Sequence, residues 1–285
     1  MTAIIFNGRA VATLLQHAIA DEIQQLQKHY TQQPTITTVM IGNDHASQLY
    51  LKLRDTACHN VGIHTHHLTF TDTTPEHQVL DAIHTLNDDP TVHGILIQYP
   101  LPPHYHTPAF MRAITPNKDV EGFHPDNLGR TFSGDEFLVP CTPLAVLTII
   151  TSENIPLKGT DAVIINHSNV VGKPLASLLL NRDATVSVCH VFTKDLRKYT
   201  TGADLLVTGA GVPQLITADH VKPQANVIDV GISQTDRGIT GDVAFDAVKE
   251  KARFLTPVPG GVGPLTITMA LTNMVKTYKL SMRDK

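Results

Sequence analysis

Apolar residues fall at Val11, Leu14, Leu15, Ala18, Ile19, Ile23 and Leu26. That three- and four-residue spacing predicts an amphipathic helix over 9–30, stopped by Pro34. Thr35 to Gly42 is rich in β-branched residues and reads as a strand. A second helix is predicted from about Ala46 to Asn60, followed by a strand near 64–70. A helix after Pro75 and a buried strand over Val92–Gln98 complete a βαβα alternation, which implies a mostly parallel sheet. Tyr99 to Pro143 carries eight prolines among them Pro100, Pro102, Pro103 and Pro108, and reads as a loop-rich crossing between domains. Alternation then resumes, with a helix at 143–153 and strands at Asp161–Ile165, Thr185–Cys189, Leu205–Thr208 and Val227–Val230. A last helix is predicted over roughly 265–279. There is no internal repeat.

The 285 residues are 42% hydrophobic and 17% charged, a globular composition. With 22 basic against 26 acidic residues, the net charge of −4 argues against a nucleic-acid partner and an anionic membrane surface. Cys58, Cys141 and Cys189 are odd in number and form no CxxC pair, so a disulfide framework or thiolate metal site is not expected. No signal peptide opens the chain and no apolar run reaches about eighteen residues, so a cytoplasmic, membrane-free protein is expected. The 16 histidines include His64, His66, His67, His104 and His106, but no HExxH motif, and no metal is expected.

Five segments could carry chemistry. Asn166, His167, Ser168 and Gly172 lie in a turn between a strand and a helix, where a Rossmann fold presents backbone N–H groups to a phosphate. Only the last glycine of the GxGxxG fingerprint is filled, so an ordinary turn fits equally well. The next strand ends at Cys189-His190 with no carboxylate before Asp195, a pattern that favours NADP over NAD. Tyr50 and Arg54, four residues apart, share one helix face, as does any surface stacking pair. Gln98 closes an apolar strand where ligands of open α/β sheets sit. Asp119 and Glu121 flank a glycine turn, which a capped loop would also explain. Pro257 to Pro264, through Pro259, Gly260, Gly261, Val262 and Gly263, is dense in residues with special backbone needs and reads as a ligand loop.

Together these segments resemble the methylenetetrahydrofolate dehydrogenase/cyclohydrolase family. The carrying pieces are Ser47-Gln48-Leu49-Tyr50, Gly94 to Pro102, Lys118 to Pro125, Pro140-Cys141-Thr142-Pro143, Ser168 to Pro174, Asp229-Val230-Gly231-Ile232 and Pro257 to Pro264. The resemblance implies an α/β protein with a folate-binding catalytic domain over 1–139, completed by a C-terminal helix over 264–285. A Rossmann-like NADP-binding domain with a parallel sheet would fill 140–263. It also implies a homodimer, and oxidation of 5,10-methylenetetrahydrofolate followed by hydrolysis to 10-formyltetrahydrofolate. By position Tyr50, Arg54, Gln98 and Glu121 would be catalytic, and Pro259–Gly263 would shape the substrate pocket. Asn166, His167, Ser168, Gly172, His190 and Ile232 would line NADP, with NAD as the alternative cofactor.

Three positions depart from the family pattern. Arg54 stands at the catalytic lysine, and an arginine cannot release a proton, so hydride transfer is expected to persist and hydrolysis to be weak or lost. Glu121 replaces an aspartate and reaches one methylene further. Asn166-His167 replaces Gly-Arg, and Val191 replaces a frequent serine, which removes contacts to a 2′-phosphate. Two alternatives stand beside this reading. One is a non-catalytic folate- or nucleotide-binding relative, the other a two-domain dehydrogenase of another small substrate.

Overall fold

The chain runs from β1 (Ile4–Ile5) through α1 (Gly8–Gln27), β2 (Thr35–Ile41), α2 (His45–Val61), β3 (His64–Phe70) and α3 (Glu76–Asp88) to β4 (Gly94–Ile97). The Asp44 side chain accepts from the Ser47 N–H and starts α2, satisfying one of the donors a helix N-terminus leaves open. Next come α4 (Thr107–Ala113), α5 (Pro125–Ser133) and α6 (Cys141–Ser152). The stretch expected to be loop therefore holds two helices. Pro108 and Pro125 sit in their first turns, where a missing N–H costs no hydrogen bond.

The remainder alternates as β5 (Asp161–Ile165), α7 (Gly172–Leu180), β6 (Thr185–Cys189), α8 (Arg197–Thr200), β7 (Leu205–Thr208) and β8 (Asn226–Asp229). The chain ends with β9 (Ser233–Thr235), β10 (Gly238–Thr240), α9 (Phe245–Val248), β11 (Phe254–Leu255) and α10 (Val262–Arg283). These elements come from a computed structural model that describes residues 2–236 and 238–283.

Two units result. One comprises Met1–Ala12, Arg130–Asp135 and Pro140–Thr266, the other Thr13–Gly129, Glu136–Val139 and Ile267–Lys285. The resemblance implies a first domain over 1–139 completed by a C-terminal helix over 264–285. Ile4 and Ile5 instead pair in parallel with Phe254 and Leu255, which draws the first twelve residues into the other unit.

In the unit containing β2, three parallel strands lie in the order β3-β2-β4. Val39, Val79, Ile83, Ile95 and Phe110 are fully buried in one core cluster there. Burying side chains of that size stabilises by about 1.5–3 kcal/mol each. The later part of α10 belongs to this unit. Asn273 Nδ2 donates to the Val120 and Val139 carbonyls, each at 2.9 Å, and the Tyr278 hydroxyl donates to Gln32 O at 2.6 Å.

The other unit holds six parallel strands in the order β1-β11-β8-β7-β5-β6. Its central strands β5, β7 and β8 read as near-continuous apolar runs, as expected of strands covered on both faces. Chain order reverses at β5, whose neighbours are β6 and β7. In doubly wound sheets that reversal opens the crevice in which ligands bind.

Candidate active site

Arg54 is carried by α2 and is 1% exposed, among the largest fully buried side chains of the described residues. It is no surface stacking partner. Its Nη2 donates to Thr38 Oγ1 of β2 at 2.7 Å, while Nη1 is buried without a hydrogen-bond partner. Its guanidinium carbon lies 5.9 Å from the Tyr50 ring centroid, so the four-residue spacing does bring phenol and cation together. Cys58, one helical turn on, is also buried, and burial pushes its thiol up to about 12 against the opposing pull of Arg54.

Gln98 follows β4. Its N–H donates to Val39 O at 2.9 Å, which sets it one residue along β2 from Thr38. Its Nε2 donates to Tyr99 O at 3.0 Å, and Oε1 is buried and unpartnered. A buried donor on Arg54 and a buried acceptor on Gln98 are thus both unsatisfied, the condition of a site that a polar ligand or water completes.

The segment bearing Glu121 lies along β4 through a parallel bridge between Ile95 and Asp119. Asp119 is buried and shapes the turn that follows. It accepts from the Gly122 and His124 N–H groups at 3.0 and 2.8 Å and from Asn127 Nδ2 at 2.9 Å. Glu121 makes no hydrogen bond or ion pair among the described residues. Burial pushes its carboxyl up to about 7; the Arg54 charge opposes that rise and the Asp119 carboxylate adds to it. A carboxyl group poised near neutrality beside a fixed cation can hold or give up a proton under ordinary conditions.

In the six-stranded unit, Asn166 opens the turn that follows β5. Its Oδ1 accepts from Ser168 N and Oγ, each at 2.8 Å, and from Gly172 N at 3.0 Å. Its Nδ2 donates to Gly209 O, just beyond β7, at 2.6 Å. The Asn166 amide is therefore committed to joining the two strand ends that flank the crevice. A Cβ on Gly172 would come within 1.9 Å of Asn166 O, so only glycine lets the helix start this close to the turn. His167 is exposed, and Ile232, beyond β8, is 67% exposed. The pattern of a strand, a tight turn and a helix fits a dinucleotide phosphate at the N-terminus of α7.

Asp242 carried no signal in the sequence. It is fully buried and accepts from Thr208 Oγ1 at 2.8 Å, Ala210 N at 2.6 Å and Val212 N at 2.9 Å, fixing the loop after β7. Asp229 in turn accepts from Gly231, Asp242 and Val243 N–H groups at 2.9, 3.1 and 2.9 Å. Burial pushes Asp229 up to about 6, these hydrogen bonds notwithstanding. Thr38 was likewise unmarked, being one β-branched residue in a strand of them.

The Pro257–Pro264 loop belongs to the same six-stranded unit. Gly260 has φ of 103°, and a Cβ on Gly261 would approach Pro257 O to 2.5 Å. Both positions therefore need glycine. Among the described residues no group of three or more His, Cys, Asp or Glu side chains is arranged to hold a metal. The three cysteines are free and buried.

Residues 6–121 match the model for the tetrahydrofolate dehydrogenase/cyclohydrolase catalytic domain, and residues 140–282 match that for its NAD(P)-binding domain. The chain belongs to the tetrahydrofolate dehydrogenase/cyclohydrolase family. The bifunctional protein FolD of Methanosarcina mazei is 45% identical over 278 residues, covering 98% of this chain and 97% of that protein. The structure of the bifunctional FolD methylenetetrahydrofolate dehydrogenase/cyclohydrolase of Campylobacter jejuni superposes with a TM-score of 0.95 at 42% identity, over 98% of this chain and 99% of that one. The FolD of Trypanosoma brucei, solved with NADP and an inhibitor, gives 0.95 at 32% identity over 99% of both chains. Membership replaces the alternative of a dehydrogenase for an unrelated small substrate. Among the described residues of this FolD-like chain, no helix is long and apolar enough to cross a membrane.

Proposed function

We propose that the protein oxidises 5,10-methylenetetrahydrofolate with NADP⁺ and that its hydrolysis of the methenyl product is weak. Family membership over both halves of the chain carries the first part. Burial of Arg54 at the lysine position carries the second. NADP⁺ supplies the hydride acceptor. The chain's own contribution to that step is to hold two reactants in register, which is a matter of positioning and tolerates a changed residue 54.

Hydrolysis is different. Water adds to the cationic methenyl carbon, one proton leaves, and the ring opens to the 10-formyl product. A lysine can exchange that proton, whereas a guanidinium stays charged at every working pH. A fixed cation held by Thr38 also disfavours a cationic substrate carbon nearby. Tyr50 and Gln98 orient the folate, and Glu121 holds the pterin. Ser168, Gly172 and Ile232 border the dinucleotide. The family resemblance supports a homodimer, and three free buried thiols suit a reducing compartment such as the cytoplasm.

The test follows reduced cofactor and the methenyl chromophore together after mixing protein with 5,10-methylenetetrahydrofolate and NADP⁺. Reduced cofactor with accumulating methenyl product is expected. Methenyl loss well above its unaided rate overturns the second part. No reduction with NADP⁺ or NAD⁺ overturns the first and favours a non-catalytic binder.

A further inference from the structure

Asn273 is fully buried on α10, beside the apolar Leu271 and Met274. Its Nδ2 donates to Val120 O and Val139 O, each at 2.9 Å, across 153 and 134 residues of chain. An amide nitrogen carries two hydrogens, and both are spent on these carbonyls. Burying such a group costs free energy unless its hydrogen bonds are made, so its contribution lies in the two segments it joins.

The Val120 carbonyl shares one planar peptide group with the Glu121 N–H. Holding that oxygen fixes the plane from which the Glu121 side chain departs. The other flank is held too, because Gly122 N donates to Asp119 Oδ1 at 3.0 Å. Val120 N reaches Ile95 O of β4 at 3.4 Å. On that side there is no slack. A Cβ on Gly94 would come within 2.4 Å of Val120 Cγ2 and 2.5 Å of Met274 Sδ, so β4, Val120 and α10 are in direct contact. Glu121 makes no hydrogen bond of its own among the described residues, and its carboxyl is aimed by this backbone.

Resting on the reading above, in which Glu121 holds the pterin, we propose that Asn273 is a positioning residue for the folate substrate, acting through the Val120 carbonyl on the Glu121 carboxyl. Asn273 is 0% exposed, so it offers no surface that a folate could touch, and its effect must pass through the peptide it holds. Misplacing a binding group by about 1 Å can cost on the order of 10²-fold. With the amide gone, the Val120–Glu121 peptide loses its tie to α10 and can rotate. The carboxyl then swings away from the direction that Asp119 and Asn273 together impose.

The test uses Asn273→Leu, which removes both donors at similar volume, and Asn273→Ser, which is too short to hold both carbonyls. Should the leucine variant fail to fold, the serine variant carries the comparison. Lys276→Met is the control for loosened helix packing, since it removes a neighbouring tie of α10, Nζ to Phe137 O at 2.6 Å. The readouts are steady-state kinetics for both substrates and the calorimetric Kd of tetrahydrofolate. In the Asn273 variants the KM for 5,10-methylenetetrahydrofolate and the Kd of tetrahydrofolate should rise about tenfold or more, with the KM for NADP⁺ unchanged. Lys276→Met should match the parent. In a Glu121→Ala background, Asn273→Ser should add little further loss of tetrahydrofolate binding, because the group it positions is gone. Equal weakening of both substrates, an equal loss in Lys276→Met, a full additional loss in the Glu121→Ala background, or parent-like affinity in folded Asn273→Ser overturns the proposal. The tetrahydrofolate constants decide it whether or not NADP⁺ is reduced. A parent that binds tetrahydrofolate without reducing NADP⁺ overturns only the dehydrogenase reading, and one that does not bind it overturns both.

Discussion

The Arg54 guanidinium is tied to the Thr38 hydroxyl at 2.7 Å by one nitrogen and leaves the other buried and unmatched. The cation is thus anchored to β2 at one end and presents an unsatisfied donor at the other. Replacing it by lysine keeps a positive charge while restoring a group able to exchange a proton. Arg54→Lys is expected to raise methenyl hydrolysis by about 10²-fold or more, within the range of one general acid–base residue. Reduction of NADP⁺ should change by less than about tenfold. Stopped-flow decay of the methenyl chromophore measures the first, and steady-state cofactor reduction the second.

Glu121 ties stability to pH. Its folded carboxyl titrates at about 7 against an ordinary value of 4.5, so the folded state holds a proton that the unfolded chain has already released. Stability therefore falls as pH rises from about 4.5 to about 7, and the full cost remains above that window. Glu121→Gln removes the ionisation. Urea denaturation should find the variant more stable than the parent by about 1–3 kcal/mol above neutrality, with the difference vanishing at acid pH. A constant difference across the range would refute this account.

Asp242 holds the loop after β7 through three donors, two of them backbone N–H groups. Asp242→Ala leaves those groups without their acceptor and loosens a loop at the carboxyl end of the sheet. The expected result is a loss of about 2–4 kcal/mol in stability and a raised KM for NADP⁺, with the KM for folate little changed. Chemical denaturation and two-substrate kinetics test the two halves separately.

Cys58 should be inert in the folded protein. It is fully buried and its thiol is pushed up to about 12, so almost no thiolate exists near neutrality. A disulfide-exchange reagent should leave it unmodified under native conditions and titrate all three cysteines after denaturation. Rapid native reaction at Cys58, located by peptide mapping, would contradict the burial.

Most strands and the longer helices were legible because each carries its own period. The β-branched run of β2 and the apolar spacing of α1 need no distant partner to be recognised. The two short helices within 99–143 were hidden because proline marks a helix start as well as a break. β1 and β11, two residues each, carry too little periodicity to register; β1 is held by pairing with β11, and β11 by pairing with β1 and β8.

The linear order of residues by itself determined the alternation of strands and helices, the glycine demanded at 172 and the motifs through which family membership could be read. It also placed an arginine at position 54, where the family resemblance implies a lysine. Only the tertiary structure decided that this arginine is buried on Thr38, that Asn166 spends its amide on Gly209, and that His167 stacks on His190. Those partners lie 16 and 43 residues apart in the first two cases, and residues on neighbouring parallel strands leave no common period in the chain. Burial, pairing and protonation follow from which strand comes to lie beside which, and that is settled only when the sheet assembles.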